Sequence, residues 1–436
     1  MKKSFVAGAA VLMAANAVSK ILGAVLKIPL TYIIHEEGMA VYNTAFSVYV
    51  MFLSLVVSGM PFAVQKLTAE ALAKNNRAQA KETVHLATLM LCAAGFIGSA
   101  VLWYFADFFA LAMREERAVW AIKAISPSVF IVACGSGYKS GFQGASNMVP
   151  AAVSQVVEAV IKLVSGYLFA VLLLGMGTEK AAAGAVGGVS ASEAAATAML
   201  VIWYIIWMRK TDKYEGRKKE IAHQLIEIAV PMMCMSVISS AISVCDTSVL
   251  RASLIRSGMS AEQARFTYGS YTGYALTVLN LPSGFLATLG ISIIPVISGA
   301  AAVGNMERIR SVSKRCIGLN TVLSLAAAVL LFLFGEVILN ILFKNTASAA
   351  MLRLAAPSVI FISVMQISGA ILQSLGFINR AFAASVSAAA VKLICSWFLA
   401  SIPGLNIYGA IIGTNIAFFV GMAVNLVSLG LHLRKC

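Results

Sequence analysis

Charge is what this sequence has least of. Of 436 residues only 12% are charged and 60% are apolar, whereas a soluble domain is typically about 25% charged. A surface so poor in charge cannot all face water, which excludes an ordinary soluble globular domain. Histidine is scarce as well: His35, His85, His223 and His432 lie at the ends of apolar runs or in the connections between them. Nothing near them forms a Ser/His/Asp set or an Asp-rich metal motif, so neither an enzyme nor a metal or other cofactor is expected. Seven cysteines, Cys92, Cys134, Cys234 and Cys245 among them, are scattered through apolar stretches without a C-x-x-C pair. They read as small apolar packers rather than as a metal site or a disulfide framework. The net charge of +15 comes from residues that punctuate apolar spans, not from a basic patch interleaved with aromatics, so nucleic acid is not expected as a partner.

What remains is hydrocarbon. A helix needs roughly 20 apolar residues to cross a bilayer, and such runs recur near 5–34, 40–65, 84–112, 118–140, 151–174, 184–208, 225–250, 266–298, 316–343, 350–376, 381–400 and 407–432. The fold class expected is an all-α membrane protein of about twelve transmembrane helices. Met1-Lys2-Lys3, an apolar run and Ala15-Asn16-Ala17 imitate a secretory signal peptide, but the run continues to about Ile34, long enough to span. An uncleaved first helix is therefore expected. With the N-terminus inside, cytoplasmic connections collect most of the basic residues, including Lys66, Lys74, Arg77, Lys81, Arg209, Lys218, Arg308 and Arg315. The outer connections hold few, such as Lys180 and Arg353, so both termini are expected in the cytoplasm.

The most polar connection, Arg209 to Glu220, lies near the middle of the chain and invites a search for duplication. At one offset of 230 residues, Pro127-Ser128-Val129 aligns with Pro357-Ser358-Val359, Gln143 with Gln373, and Lys162-Leu163 with Lys392-Leu393. The organisation expected is an N-terminal six-helix lobe over 1–208, a basic cytoplasmic linker over 209–224 and a C-terminal six-helix lobe over 225–436. Because each half has an even number of helices, the lobes should be related by a pseudo-two-fold axis along the membrane normal.

Ionisable groups inside a bilayer cost about 2.5–3.5 kcal/mol each on insertion scales, so each is a functional candidate. At 1.5 Å per residue, Lys162 and Lys392 sit roughly 16 Å into their spans, too deep for a lysine to reach an interface easily. Their matching positions would place them across a shared cavity as substrate-binding groups. The alternative is that a neighbour on an adjacent helix neutralises each. Lys20 is a cavity candidate by the same measure, and Gln143 and Gln373 join on their matched positions. Glu158 lies four residues before Lys162 on one helical face, where an intrahelical ion pair is favoured, and Ala388 stands there in the second half. Glu158 therefore reads either as a coupling site for H+ or Na+ or as a charge balance for Lys162. Asp246, near an outer helix end, is a second coupling or cavity-mouth candidate. Pro61, Pro127, Pro282, Pro295 and Pro357 are hinge candidates, although membrane helices also tolerate proline without using it.

Ser19-Lys20-Ile21-Leu22-Gly23, Lys27-Ile28-Pro29-Leu30, Glu37-Gly38, Tyr42, Ser58-Gly59-Met60-Pro61 and Ala63-Val64-Gln65-Lys66-Leu67 occur in that order. Gly141-Phe142-Gln143-Gly144, Pro150, Ala152-Val153-Ser154-Gln155, Glu158 and Lys162 follow. Together they resemble the stage V sporulation protein B and polysaccharide-export family of the multidrug/oligosaccharidyl-lipid/polysaccharide flippase superfamily. The resemblance spans most of the chain, including Asp246, Arg251 and Pro295. It implies a flippase in the bacterial plasma membrane that carries an undecaprenyl-pyrophosphate-linked oligosaccharide, such as the peptidoglycan precursor lipid II, to the outer leaflet by alternating access. It further implies basic side chains drawing the pyrophosphate into a cavity. Two departures stand out. Many members have fourteen helices where twelve spans are read here, and Lys27 and Lys162 replace arginines, which removes a bidentate phosphate grip at those positions. The rival within the superfamily is a cation-coupled multidrug exporter, for which only Glu158 and Asp246 are counted as membrane carboxylates. Coupling, where there is any, is expected to the membrane potential, H+ or Na+.

Overall fold

The computed structural model describes residues 2–113, 115–209, 214–343 and 346–435, and every regular element among them is helical. Hydrocarbon cannot hydrogen-bond a peptide group, so a spanning chain has to satisfy its backbone within each segment, and helices do this. The chain divides into two compact units, Met1–Val237 and Ile238–Cys436.

The first unit holds α1 (Lys2–Val57), α2 (Met60–Ala73), α3 (Arg77–Tyr104), the short α4 (Ala106–Ala112), α5 (Val119–Gly144), α6 (Val149–Leu173), α7 (Thr178–Met208) and the start of α8 (Lys218–Arg256). α1 is two arms joined at His35, whose φ of 54° lies in the left-handed region. The polar stretch His35-Glu36-Glu37-Gly38 is where the sequence separates its first two spans. The second arm continues through a break at Gly59 (φ 88°) into α2. A side chain at Gly59 would also run into the Ala229 carbonyl of α8, so both its conformation and its space exclude other residues.

The second unit holds the rest of α8, then α9 (Ala261–Ser270), a π-helical turn Tyr271–Ala275, α10 (Leu276–Ala302), α11 (Met306–Phe343), α12 (Ala349–Ala355), α13 (Ser358–Ser374), α14 (Ile378–Leu399) and α15 (Asn406–Lys435). Ser260 and Gln263 close a capping box at the start of α9, satisfying two amides that the first turn leaves open. Among the described residues, nine helical stretches are long and apolar enough to cross a membrane, and ten if α12 and α13 form one bent span. The helical, two-lobe pattern expected from the sequence is met, with nine to ten of its spans among the described residues.

Large apolar side chains that a soluble protein would bury point outward here, for example Ile205 and Ile206 on α7 and Val322, Leu333 and Ile341 on α11. The solvent for those faces is lipid. Buried side chains gather instead at opposite ends of the first unit. Leu30, Ile34, Phe52, Leu102, Ile122 and Val129 pack near the His35 break, and Val64, Val84, Phe142, Tyr204, Ile221 and Leu225 pack where α8 begins. Lipid tails are as apolar as leucine, so helix association depends on close packing and small residues rather than on escape from water. The α6–α7 contact shows the principle. A Cβ on Gly188 would overlap the Gly166 backbone, and Ser165 Oγ donates to the Gly188 carbonyl at 3.0 Å.

One reading of the cysteines is corrected. The sulfurs of Cys92 on α3 and Cys134 on α5 are joined as a disulfide, with Cα atoms 5.0 Å apart. A sequence separation of 42 hid a pairing that only helix packing creates, and a scan for C-x-x-C cannot see it.

Gly188→Leu is expected to cost about 1–3 kcal/mol through overpacking, seen as earlier thermal unfolding in detergent. Gly187→Leu, at a position with nothing within 4 Å of an added Cβ, should leave the transition unchanged.

Candidate functional site

Both matched lysines are ion-paired, and the two pairs are built differently. In the first unit Lys162 Nζ lies 2.6 Å from Glu158 Oε1, four residues earlier on α6, with side chains 22% and 25% exposed. In the second unit the position matching Glu158 is Ala388, and α14 supplies no acid there. Instead Asp246 of α8 reaches across, its Oδ2 2.7 Å from Lys392 Nζ, with side chains 30% and 16% exposed for the lysine and the acid. An ammonium in low dielectric needs a counter-charge nearby. The duplicated halves satisfy the same lysine once from its own helix and once from a neighbour.

Around Lys162 stands a larger polar cluster. Glu193 of α7 lies close to Glu158 and Lys162, and Tyr49 of α1 lies close to Glu193. Tyr42 of α1 is close enough to Lys162 to feel its charge. In the second unit Tyr271 lies close to the acid, Asp246, and to Thr414 of α15. Each unit therefore brings a lysine, a carboxylate and a tyrosine together.

Glu193, Tyr49 and Tyr271 were not singled out from the sequence. Glu193 meets the criterion that selected Glu158, a carboxylate well inside an apolar span, so the count of two membrane carboxylates is corrected to include it. The tyrosines carried no comparable signal, because an aromatic in a membrane helix is unremarkable until its hydroxyl is seen to meet an acid.

The other candidates fall elsewhere. Lys20 is exposed on the first arm of α1, which is held to α6 by Ser19 Oγ donating to the Gln155 carbonyl at 3.1 Å. Gln143 is buried, and its Oε1 accepts from Gln65 Nε2 at 3.0 Å, a contact that joins α2 to α5. Gln373, half-buried near the end of α13, accepts at its backbone carbonyl from the Gly376 amide at 2.9 Å. Pro61 occupies the first turn of α2, where a missing amide proton costs nothing. Pro127 lies within α5, and Pro282 and Pro295 lie within α10, which both continue through them. Pro357 separates α12 from α13, which are bent by 41° to one another. The side chains of Lys27 and Arg251 lie outside the described residues.

Two helical units, lipid-facing apolar surfaces and a charged cluster buried within the spans of each unit define a multi-pass membrane transporter. In fold the chain is similar to an outward-facing multidrug resistance MATE family transporter of the MOP superfamily, with a TM-score of 0.84 at 16% identity, covering 100% of this chain and 96% of the other. Residues 5–301 match the family described as polysaccharide biosynthesis protein, and residues 270–398 match MatE. The chain belongs to the polysaccharide biosynthesis protein family, within the MOP superfamily of flippases and transporters. It is 28% identical to stage V sporulation protein B of Bacillus subtilis (strain 168) over 417 residues, 94% of this chain and 80% of that protein. It is 22% identical to the lipid II flippase MurJ of the same organism over 470 residues, covering 99% of this chain and 84% of that protein.

Removing one partner of a buried pair strands the other charge, whereas removing both does not. Lys162→Met alone should lower stability by on the order of 2–3 kcal/mol, and Lys162→Met with Glu158→Leu should recover most of that loss. Thermal unfolding of the two single variants and the double variant checks the coupling.

Proposed function

We propose that this protein is a flippase that carries an undecaprenyl-pyrophosphate-linked oligosaccharide, lipid II being the substrate we favour, from the inner to the outer leaflet by alternating access. The observation that carries this reading is the pair of lysines held at matched positions, 230 residues apart, in two units of one chain. A compact ammonium is a point charge suited to a pyrophosphate, and an anion that approaches Lys162 or Lys392 competes with the carboxylate already there. Similarity to a lipid II flippase and to stage V sporulation protein B supports a lipid-linked glycan. In this reading the protein lies in the bacterial plasma membrane with both termini cytoplasmic. Lys20, Gln143 and Gln373 remain lesser candidates for contacts with the carried head group. Glu158 and Glu193, two carboxyl groups beside Lys162, are the candidate site for a coupling ion, H+ or Na+.

A second reading, a cation-coupled multidrug exporter, draws on the same acid pair and on the MATE-like fold. It has to place a cationic substrate beside Lys162 and Lys392, which repel it.

Reconstitution in vesicles separates the two. Outward movement of lipid II is expected, accelerated by an imposed proton or sodium gradient, with little export of a cationic dye. Dye export without lipid movement would sink the flippase reading. Lys162→Ala and Lys392→Ala should each slow flipping at least tenfold while membrane insertion is retained, and full activity in the double variant would return both lysines to a purely structural role.

A further inference from the structure

The two lysine pairs differ in what they hold together. Glu158 and Lys162 belong to one helix, so breaking their bond frees two side chains and leaves the backbone where it was. Asp246 and Lys392 belong to α8 and α14, 146 residues apart in sequence, so breaking theirs removes a tie between two helices. A second cation contact joins the same two helices in the opposite sense: the Arg256 guanidinium of α8 lies over the Trp397 ring of α14, 4.4 Å from its centroid. Asp246 also has little else to hold it. Its Oδ1 is buried with no hydrogen-bond partner among the described residues, and among those residues its ion pair is with Lys392.

We propose that Asp246 is an anion-released latch on Lys392. An anionic head group that takes Lys392 loosens the second half of α8 against α14, leaving the Arg256–Trp397 contact as the remaining tie, whereas the same event at Lys162 breaks no tie between helices. The driving force is electrostatic. Once Lys392 turns to the incoming anion, Asp246 faces that anion as a like charge, having lost its counter-ion, and the two repel. α8 is suited to respond. It contains Pro231 and runs unbroken from Lys218 to Arg256, and its first turn is held in the first unit by the Lys218–Glu82 ion pair at 2.8 Å. A change at Asp246 therefore acts on the far half of a helix whose start is fixed.

The identity of the anion rests on the flippase reading, and the test keeps the two separate. Hydrogen exchange across residues 238–256 is measured in nanodiscs containing undecaprenyl pyrophosphate or the uncharged undecaprenol, with binding of each lipid recorded in parallel. In the native protein the pyrophosphate lipid should raise exchange in this segment at least fivefold and undecaprenol should not. The decisive variant moves the acid onto α14: Asp246→Asn with Ala388→Glu recreates the arrangement of the first unit, keeps the lysine paired and so protects folding. It should bind the pyrophosphate lipid while its exchange stays at the lipid-free value of Asp246→Asn alone, which is already raised. Binding without any rise in the native protein, or the same lipid-induced rise in native and relocated proteins, overturns the latch and leaves the flippase reading standing. Failure of the native protein to bind the pyrophosphate lipid overturns both.

Discussion

A lysine deep in a membrane helix must have a carboxylate within reach, and much of the arrangement here follows from that constraint. Lys162 and Lys392 are too far along their helices for their ammonium groups to reach interfacial water with ease. Each unit meets the requirement with a contact under 3 Å, at 2.6 and 2.7 Å. The solution on α6 is local and needs only a spacing of four residues. The solution on α14 is non-local and holds only while α8 packs against it, so the same chemistry makes one helix self-sufficient and binds another to its neighbour.

The bilayer imposes the second condition. With no water to be released between helices, close packing has to come from shape and from short polar contacts. That is why Gly166 and Gly188 meet backbone to backbone and why Ser165 bridges them. Interlocking of this kind also gives α6 and α7 a fixed spacing, and the fixed spacing presents Glu193 to Glu158. The polar cluster of the first unit thus depends on glycines that carry no functional group at all.

Much of the fold was legible because hydrocarbon thickness converts directly into run length. The break at His35, the spans after it and the duplication at one offset are all visible in the residues. The i, i+4 pair Glu158–Lys162 was legible for the same reason, since helical periodicity alone puts both groups on one face. What was not legible required knowing which helices touch. The partner of Lys392, the joining of Cys92 to Cys134 and the reach of Tyr49 to Glu193 are contacts between elements distant in sequence. No periodicity encodes them. The Gln65–Gln143 bond is another such contact: the Gln143 Oε1 accepts from Gln65 Nε2, which no matching of positions between the halves encodes.

The duplication itself carries the last step. The position matching Asp246 in the first half is Asn16, and the position matching Glu158 in the second half is Ala388, so the two halves have kept the lysine and exchanged the place of its acid. If the lysines served packing alone, either placement would neutralise them equally well, and nothing would set the two halves apart. Moving the acid changes neither the charge balance nor the contact length, only which backbone it is attached to. A transporter needs elements that stay and elements that move, and two halves with identical constraints on every helix would have no means of telling them apart. Relocating one carboxylate from α14 to α8 is the smallest change that gives one lysine a rigid partner and the other a releasable one.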